Sequence, residues 1–148
     1  MSTSNKWERT ERLIRESSNV LNAIKRDVDN GSEPAMVALL IFKTGMRPAS
    51  PKNETNGKPT YGATTLQIRH INEIGDHHVT LRYVGKRGVN RCVRLTDPNL
   101  VRFFKSRKAQ STDKRANVFS DDASDYRVRC YLETIGPYTP KDYRTAIA

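Results

Sequence analysis

The sequence predicts an α+β fold, a mainly helical domain built on a three-stranded antiparallel sheet. Three observations carry this expectation. Val79-Thr80-Leu81-Arg82-Tyr83-Val84 and Val89-Asn90-Arg91-Cys92-Val93-Arg94-Leu95 flank Gly85-Lys86-Arg87-Gly88 and keep the period of two that a half-buried strand requires. Ile74-Gly75-Asp76 supplies the turn that leads an upstream strand into this pair. Apolar residues recur at helical spacing before and after the sheet, with cap residues at the starts and stops.

Taken in order, Asn5 caps a first helix with Glu8 three residues on, and Leu13, Ile14, Val20, Leu21, Ile24 and Val28 form its apolar face. Asn30-Gly31-Ser32 ends it. Ser32 caps a second helix, roughly Glu33 to Thr44, with Pro34 tolerated in the first turn and Gly45 as terminator. That helix is apolar nearly all round and is expected at the centre of the domain. Pro51 to Thr60 is composed of turn and coil residues and reads as a loop. Tyr61 to Ile71 leads into strand spacing. In the hairpin that follows, the two glycines bracketing Lys86-Arg87 are expected at positive φ. Asp97-Pro98 starts a helix whose buried face is Leu100, Val101, Phe103 and Phe104. Ser106 to Asn117 reads as an exposed basic loop, and Val118-Phe119 re-enter the core. Ser124 to Ile135 forms a helix with Tyr126, Val128, Tyr131, Leu132 and Ile135 at its spacing, ended by Gly136-Pro137. Thr139-Pro140 starts a last helix, which has completed barely two turns at Ala148. The uncapped Ala146-Ile147-Ala148 is expected to be a cut end.

The 148 residues suffice for one domain with a core, and at 36% hydrophobic and 28% charged the chain is polar yet too patterned to be disordered. Its 26 Lys and Arg against 16 Asp and Glu leave a charge of +10. Such an excess predicts a polyanionic partner, most often nucleic acid, bound in a salt-dependent way. No signal peptide opens the chain, and the longest apolar run, Ala35 to Phe42, is too short for a bilayer. Cys92 and Cys130 are expected as reduced, partly buried thiols in an intracellular setting. No metal site is expected. His77 and His78 are adjacent in a turn and point apart, no Cys or acid cluster joins them or His70, and Asp121-Asp122 with Asp125 reads as an acidic helix start. No Gly-rich phosphate loop suggests a nucleotide.

Two features have chemical promise. The hairpin lifts Lys86 and Arg87 clear of the sheet, which suits a groove lined with phosphates, although basic hairpin turns are also common as plain solvated loops. Arg47 follows a buried helix and is fixed by Pro48. It either faces a ligand or pairs with the exposed carbonyls of that helix.

Four segments then resemble the catalytic domain of type IB DNA topoisomerases, the poxvirus-like and bacterial-like small forms in particular. They are Thr44-Gly45-Met46-Arg47; Tyr61-Gly62-Ala63-Thr64-Thr65-Leu66 with Arg69-His70; Val84-Gly85-Lys86-Arg87-Gly88; and Lys141-Asp142-Tyr143-Arg144-Thr145. The order and approximate spacing are the family's, and the resemblance covers Glu33 to Ala148. Tyrosine recombinases share the arginines and the hairpin lysine, but their second box reads His-x-x-Arg. Lys141 stands in the place of that His, which favours the topoisomerase branch.

The resemblance implies a partial DNA breaking-rejoining core at residues 32–148, preceded by an N-terminal helix at 1–31. It implies that Arg47 and Arg144 clamp the non-bridging phosphate oxygens while Lys86 protonates the departing 5′ oxygen, with neither ATP nor metal. Arginine forks suit a phosphorane's equatorial oxygens, and a lysine among cations surrenders its proton more readily. The family's nucleophilic tyrosine, which forms a 3′-phosphotyrosyl link, and a phosphate-binding histidine lie beyond Arg144, and neither Tyr138 nor Tyr143 matches the nucleophile's place. The chain is therefore expected to bind duplex DNA as a monomer without cleaving it. Arg69, Arg82, Arg87, Arg91 and Lys141 are further candidate DNA contacts, each with a solvated surface charge as the plain alternative. A tyrosine recombinase core and a non-catalytic DNA-binding module on the same scaffold are the competing readings. The expected setting is the cytoplasm with its nucleoid, a virion or a nucleus.

Overall fold

The computed structural model describes Glu11 and residues 19–49, 54–120 and 123–135. The Asn5 cap, Leu13 and Ile14, Asp121-Asp122, and the final segment with Lys141 and Arg144 lie outside the described residues.

Residues 19–29 form helix α1, which buries Val20, Ile24 and Val28 at successive turns. Helix α2, Glu33–Thr44, follows at once. The Ser32 hydroxyl accepts the Ala35 N–H at 3.2 Å, and every residue from Ala35 to Ile41 is buried. It packs against helix α4, Asp125–Ile135, and helix α3, Pro98–Gln110, so it is the central element, as its all-round apolarity predicts. The Tyr131 hydroxyl reaches Asp27 at 2.7 Å and ties α4 to α1.

After α2 comes a small antiparallel hairpin, strands β1 (Glu54–Thr55) and β2 (Lys58–Pro59). The main sheet has order β3-β4-β5, from Ile71–Ile74, Val79–Val84 and Asn90–Leu95, all antiparallel. Its inner face joins Ile71, Val79, Leu81, Tyr83 and Leu95 to the helical core, and α3 packs on β3 and β4. Asp97 caps α3 through the Asn99 and Leu100 N–H groups at 2.9 and 3.3 Å.

Several expectations need correction. Residues 54–59 are not featureless loop. Asn56 and Gly57 take φ of 55° and 76°, a two-residue turn of the primed kind that closes a hairpin. The stretch before Ile71 is not strand. Its backbone groups pair instead with residues 114–118, Ile68 N–H donating to Ala116 O and Val118 N–H to Leu66 O, each at 2.9 Å, and Ile68–His70 is a 3₁₀ turn. Residues 106–110 belong to α3. Arg107 pairs with Glu33 at 3.1 Å and lies over the Phe103 ring, and the Lys108 ammonium donates to Ile71 O at 3.2 Å, so this basic last turn is held by the core's rim. Tyr126 points into solvent, 71% exposed, because the buried stripe of α4 runs through Val128 and Leu132. Cys92 is exposed rather than partly buried, since it lies on the outer face of β5 opposite Arg82. No described helix is long and apolar enough to cross a membrane.

Candidate nucleic-acid interface

The end of α2 is built to hold one side chain. Gly45 takes φ 73° and donates its N–H to Ile41 O at 2.9 Å, while the Thr44 hydroxyl donates to Leu40 O at 2.6 Å and accepts the Met46 N–H. Met46 then plugs into the core. The Leu40 and Ile41 carbonyls are thereby engaged without Arg47, whose side chain is exposed and has no hydrogen-bond or carboxylate partner among the described residues. The backbone of Arg47 is clamped from the other side. Its carbonyl accepts the Ala63 N–H at 2.8 Å, and two residues on Thr64 Oγ1 accepts the Ala49 N–H at 3.0 Å. This contact requires glycine at 62, because a Cβ there would stand 2.4 Å from Arg47 O and 2.9 Å from Ala49 Cβ.

Lys86 stands in the loop joining β4 to β5. Gly85 N–H donates to Val89 O at 2.7 Å, and Gly88 N–H to Gly85 O at 3.0 Å. Of the bracketing glycines only Gly88 has positive φ, 74°; Gly85 is extended, and Arg87 takes the second left-handed position at 64°. The loop thus turns Lys86 and Arg87 to opposite local backbone conformations, and both are exposed. The β1–β2 hairpin packs against this turn through β1.

Arg47 and Lys86 line the same cavity, of about 310 Å³. Its walls are the end of α2 at Thr44–Arg47, Tyr61 and Gly62, Tyr83, Gly85, and Arg91 to Val93 on β5. Among the described residues that line it, none is an Asp or Glu. Register explains why Arg91 belongs there. It pairs with Tyr83, on the face shared by Leu81 and Val93, whereas Arg82 pairs with Cys92 on the opposite face. Arg69 is at the margin. Its guanidinium donates to the Tyr61 hydroxyl at 2.9 Å and to Gln67 at 2.6 Å.

Behind the wall His70 is buried and accepts the Gln67 N–H on Nδ1 at 2.9 Å. Its ring meets Tyr61 edge-on at 4.5 Å and Tyr83 at 6.4 Å. Burial, and then the neighbouring Arg69 cation, lower its pKa to about 4, so the ring is neutral at neutral pH.

The structure thus brings Arg47, Lys86 and Arg91 to one cavity, with Arg87 and Arg69 beside it; Arg82 faces away, and Lys141 and Arg144 lie outside the described residues. Sequence reasoning gave no role to Gly62, Tyr83 or the β1–β2 hairpin. Asn56-Gly57 was the signal for the hairpin. A larger cavity of about 520 Å³ lies between α1, α2 and α3, but it holds the paired Arg107 and Glu33 and none of the nominated residues. Among the described residues no group of three or more His, Cys, Asp or Glu is arranged to hold a metal. No curated protein matches the chain. Residues 1–148 match the family model described as eukaryotic DNA topoisomerase I, catalytic core, and the chain belongs to that family.

Proposed function

We propose that this chain supplies the phosphate-binding and proton-donating side chains of a type IB topoisomerase of the small, poxvirus-like and bacterial-like kind, acting on duplex DNA without ATP or metal. The observation that carries the reading is the shared cavity: Arg47 from a helix end and Lys86 from a hairpin line one recess with no Asp or Glu among its described residues. Family membership makes DNA the substrate and isomerisation the reaction class.

In this reading a backbone phosphate enters between the two walls. Arg47, joined by Arg144, meets the charge that builds on the non-bridging oxygens during in-line displacement. Lys86 gives a proton to the leaving 5′ oxygen, and that proton returns to it on religation. Arg87, Arg69 and Lys141 neutralise flanking phosphates. The attacking phenol that forms the 3′-phosphotyrosyl link is not among the residues carried over, so these 148 residues bind DNA and do not relax it.

A supercoiled-plasmid assay tests both halves. The chain should retard the plasmid, and Arg47→Gln or Lys86→Ala should each weaken duplex binding about tenfold or more, the scale of a charge-assisted hydrogen bond. Relaxed topoisomers produced by the chain alone would refute the division of labour. Unchanged binding by both variants would refute the site.

A further inference from the structure

Arg91 entered as one of several surface cations. Its setting is different from theirs. It lines the cavity with Arg47 and Lys86, has no acidic partner among the described residues, and its Cγ crosses Gly85 so closely that a Cβ there would stand 3.2 Å away. Gly85 is thus an open lane along which the stem of Arg91 reaches into the recess. The neighbouring arginine on the same strand, Arg94, pairs with Thr80 on the outer face and is excluded from it by the pleat.

The charge count then matters. A phosphodiester carries one negative charge, and the Arg47 guanidinium by itself matches it, with Lys86 assigned to the leaving oxygen. A further cation in the recess, where no described lining residue is an acid, has nothing left to neutralise at that phosphate. Space agrees: about 310 Å³ equals roughly ten waters at about 30 Å³ each, whereas a phosphate has only five heavy atoms. We infer that Arg91 binds a second backbone phosphate, adjacent to the one held by Arg47, so that the cavity takes two phosphates of one strand. This rests on the function proposed above and extends it: the substrate is gripped on two linkages from within the recess.

The test is the salt dependence of binding to a mixed-sequence 20-base-pair duplex, followed by fluorescence anisotropy between 50 and 200 mM KCl. Each phosphate neutralised contributes about 0.9 to the slope of log affinity against log salt. Arg91→Gln should lower the slope by about 0.9, Arg91→Lys should keep it, and Arg94→Gln, on the outer face, should leave it unmoved. Arg47→Gln should also lower it by about 0.9, and the double variant by about 1.8, because two phosphates are lost. A double variant no different from either single one would mean one shared phosphate and would overturn the inference. So would an Arg91→Gln slope equal to that of Arg94→Gln; if Arg47→Gln still fell, the proposed function would survive. An unchanged slope for Arg47→Gln as well, or no binding by the parent chain, would sink both. Arg91 is exposed, so its variants should melt with the parent, which circular dichroism checks.

Discussion

Arg47 projects from the end of a helix in which every residue from Ala35 to Ile41 is buried, whereas Lys86 stands in a turn with no buried residue at all. One wall of the cavity is an extension of the core. The other is a hairpin tip held by three backbone hydrogen bonds and two left-handed residues. The first cation is placed by packing and the second by torsion angles. An arginine on a clamped backbone opposite a lysine on a hairpin tip suits a site that must grip a phosphate and also deliver a proton to it.

The comparison can be broken by substitution. Leu39, fully buried in α2, should cost about 2–5 kcal/mol when replaced by alanine, read as a lowered midpoint in urea unfolding. His70 joins the two walls through Tyr61 and Tyr83, and its contribution depends on pH. Its folded pKa, about 4, lies below the 6.5 of a free histidine, so the unfolded chain binds the extra proton between those values. Stability is therefore intact above pH 6.5, falls as pH drops toward 4, and changes no further below it, a loss of roughly 3 kcal/mol. Urea unfolding of the parent and of His70→Gln at pH 7 and pH 4 should differ by that amount in their pH dependence; parallel losses would mean the ring is not held neutral.

Gly62→Ala attacks the clamp directly. The inserted methyl meets Arg47 O and Ala49 Cβ, so a loss of about 1–3 kcal/mol is expected, together with weaker DNA binding as Arg47 shifts. Gly88→Ala acts on the other wall through its φ of 74°, with about 1–2 kcal/mol expected in thermal melts. Val89→Ala, at 47% exposure, should change stability by less than about 0.5 kcal/mol. If it cost as much as Leu39→Ala, the tip would be part of the core and the contrast would fail.

Legibility followed the range of the interactions. Ser32, Gly45 and Asp97 act within one helical turn of themselves, and the elements they bound came out at or near the expected residues. The β4–β5 pairing was legible because alternation and a short turn define its register. The 66–70 segment was not, because the segment it pairs with lies at 114–118, and nothing local announces a pairing across that separation. The extension of α3 through Gln110 was hidden for the same reason: Arg107 and Lys108 look like loop cations until Glu33 and Ile71 are beside them. At the site, Arg47 and Lys86 could be nominated from motif resemblance, but the distinction between Arg91 and Arg82 needed the register against Tyr83 and Cys92.

The sequence alone determined α2 with its caps, the Asp97 start of α3, the sheet's hairpin and the excess of positive charge, since each of these is written in neighbouring residues or in a sum over all of them. Only the tertiary structure decided which cations share a recess. That depends on Gly62 letting two chain segments touch, and on the pleat sending Arg91 inward and Arg94 outward. Contacts between residues distant in sequence are selected by packing of the whole, and no local pattern encodes them.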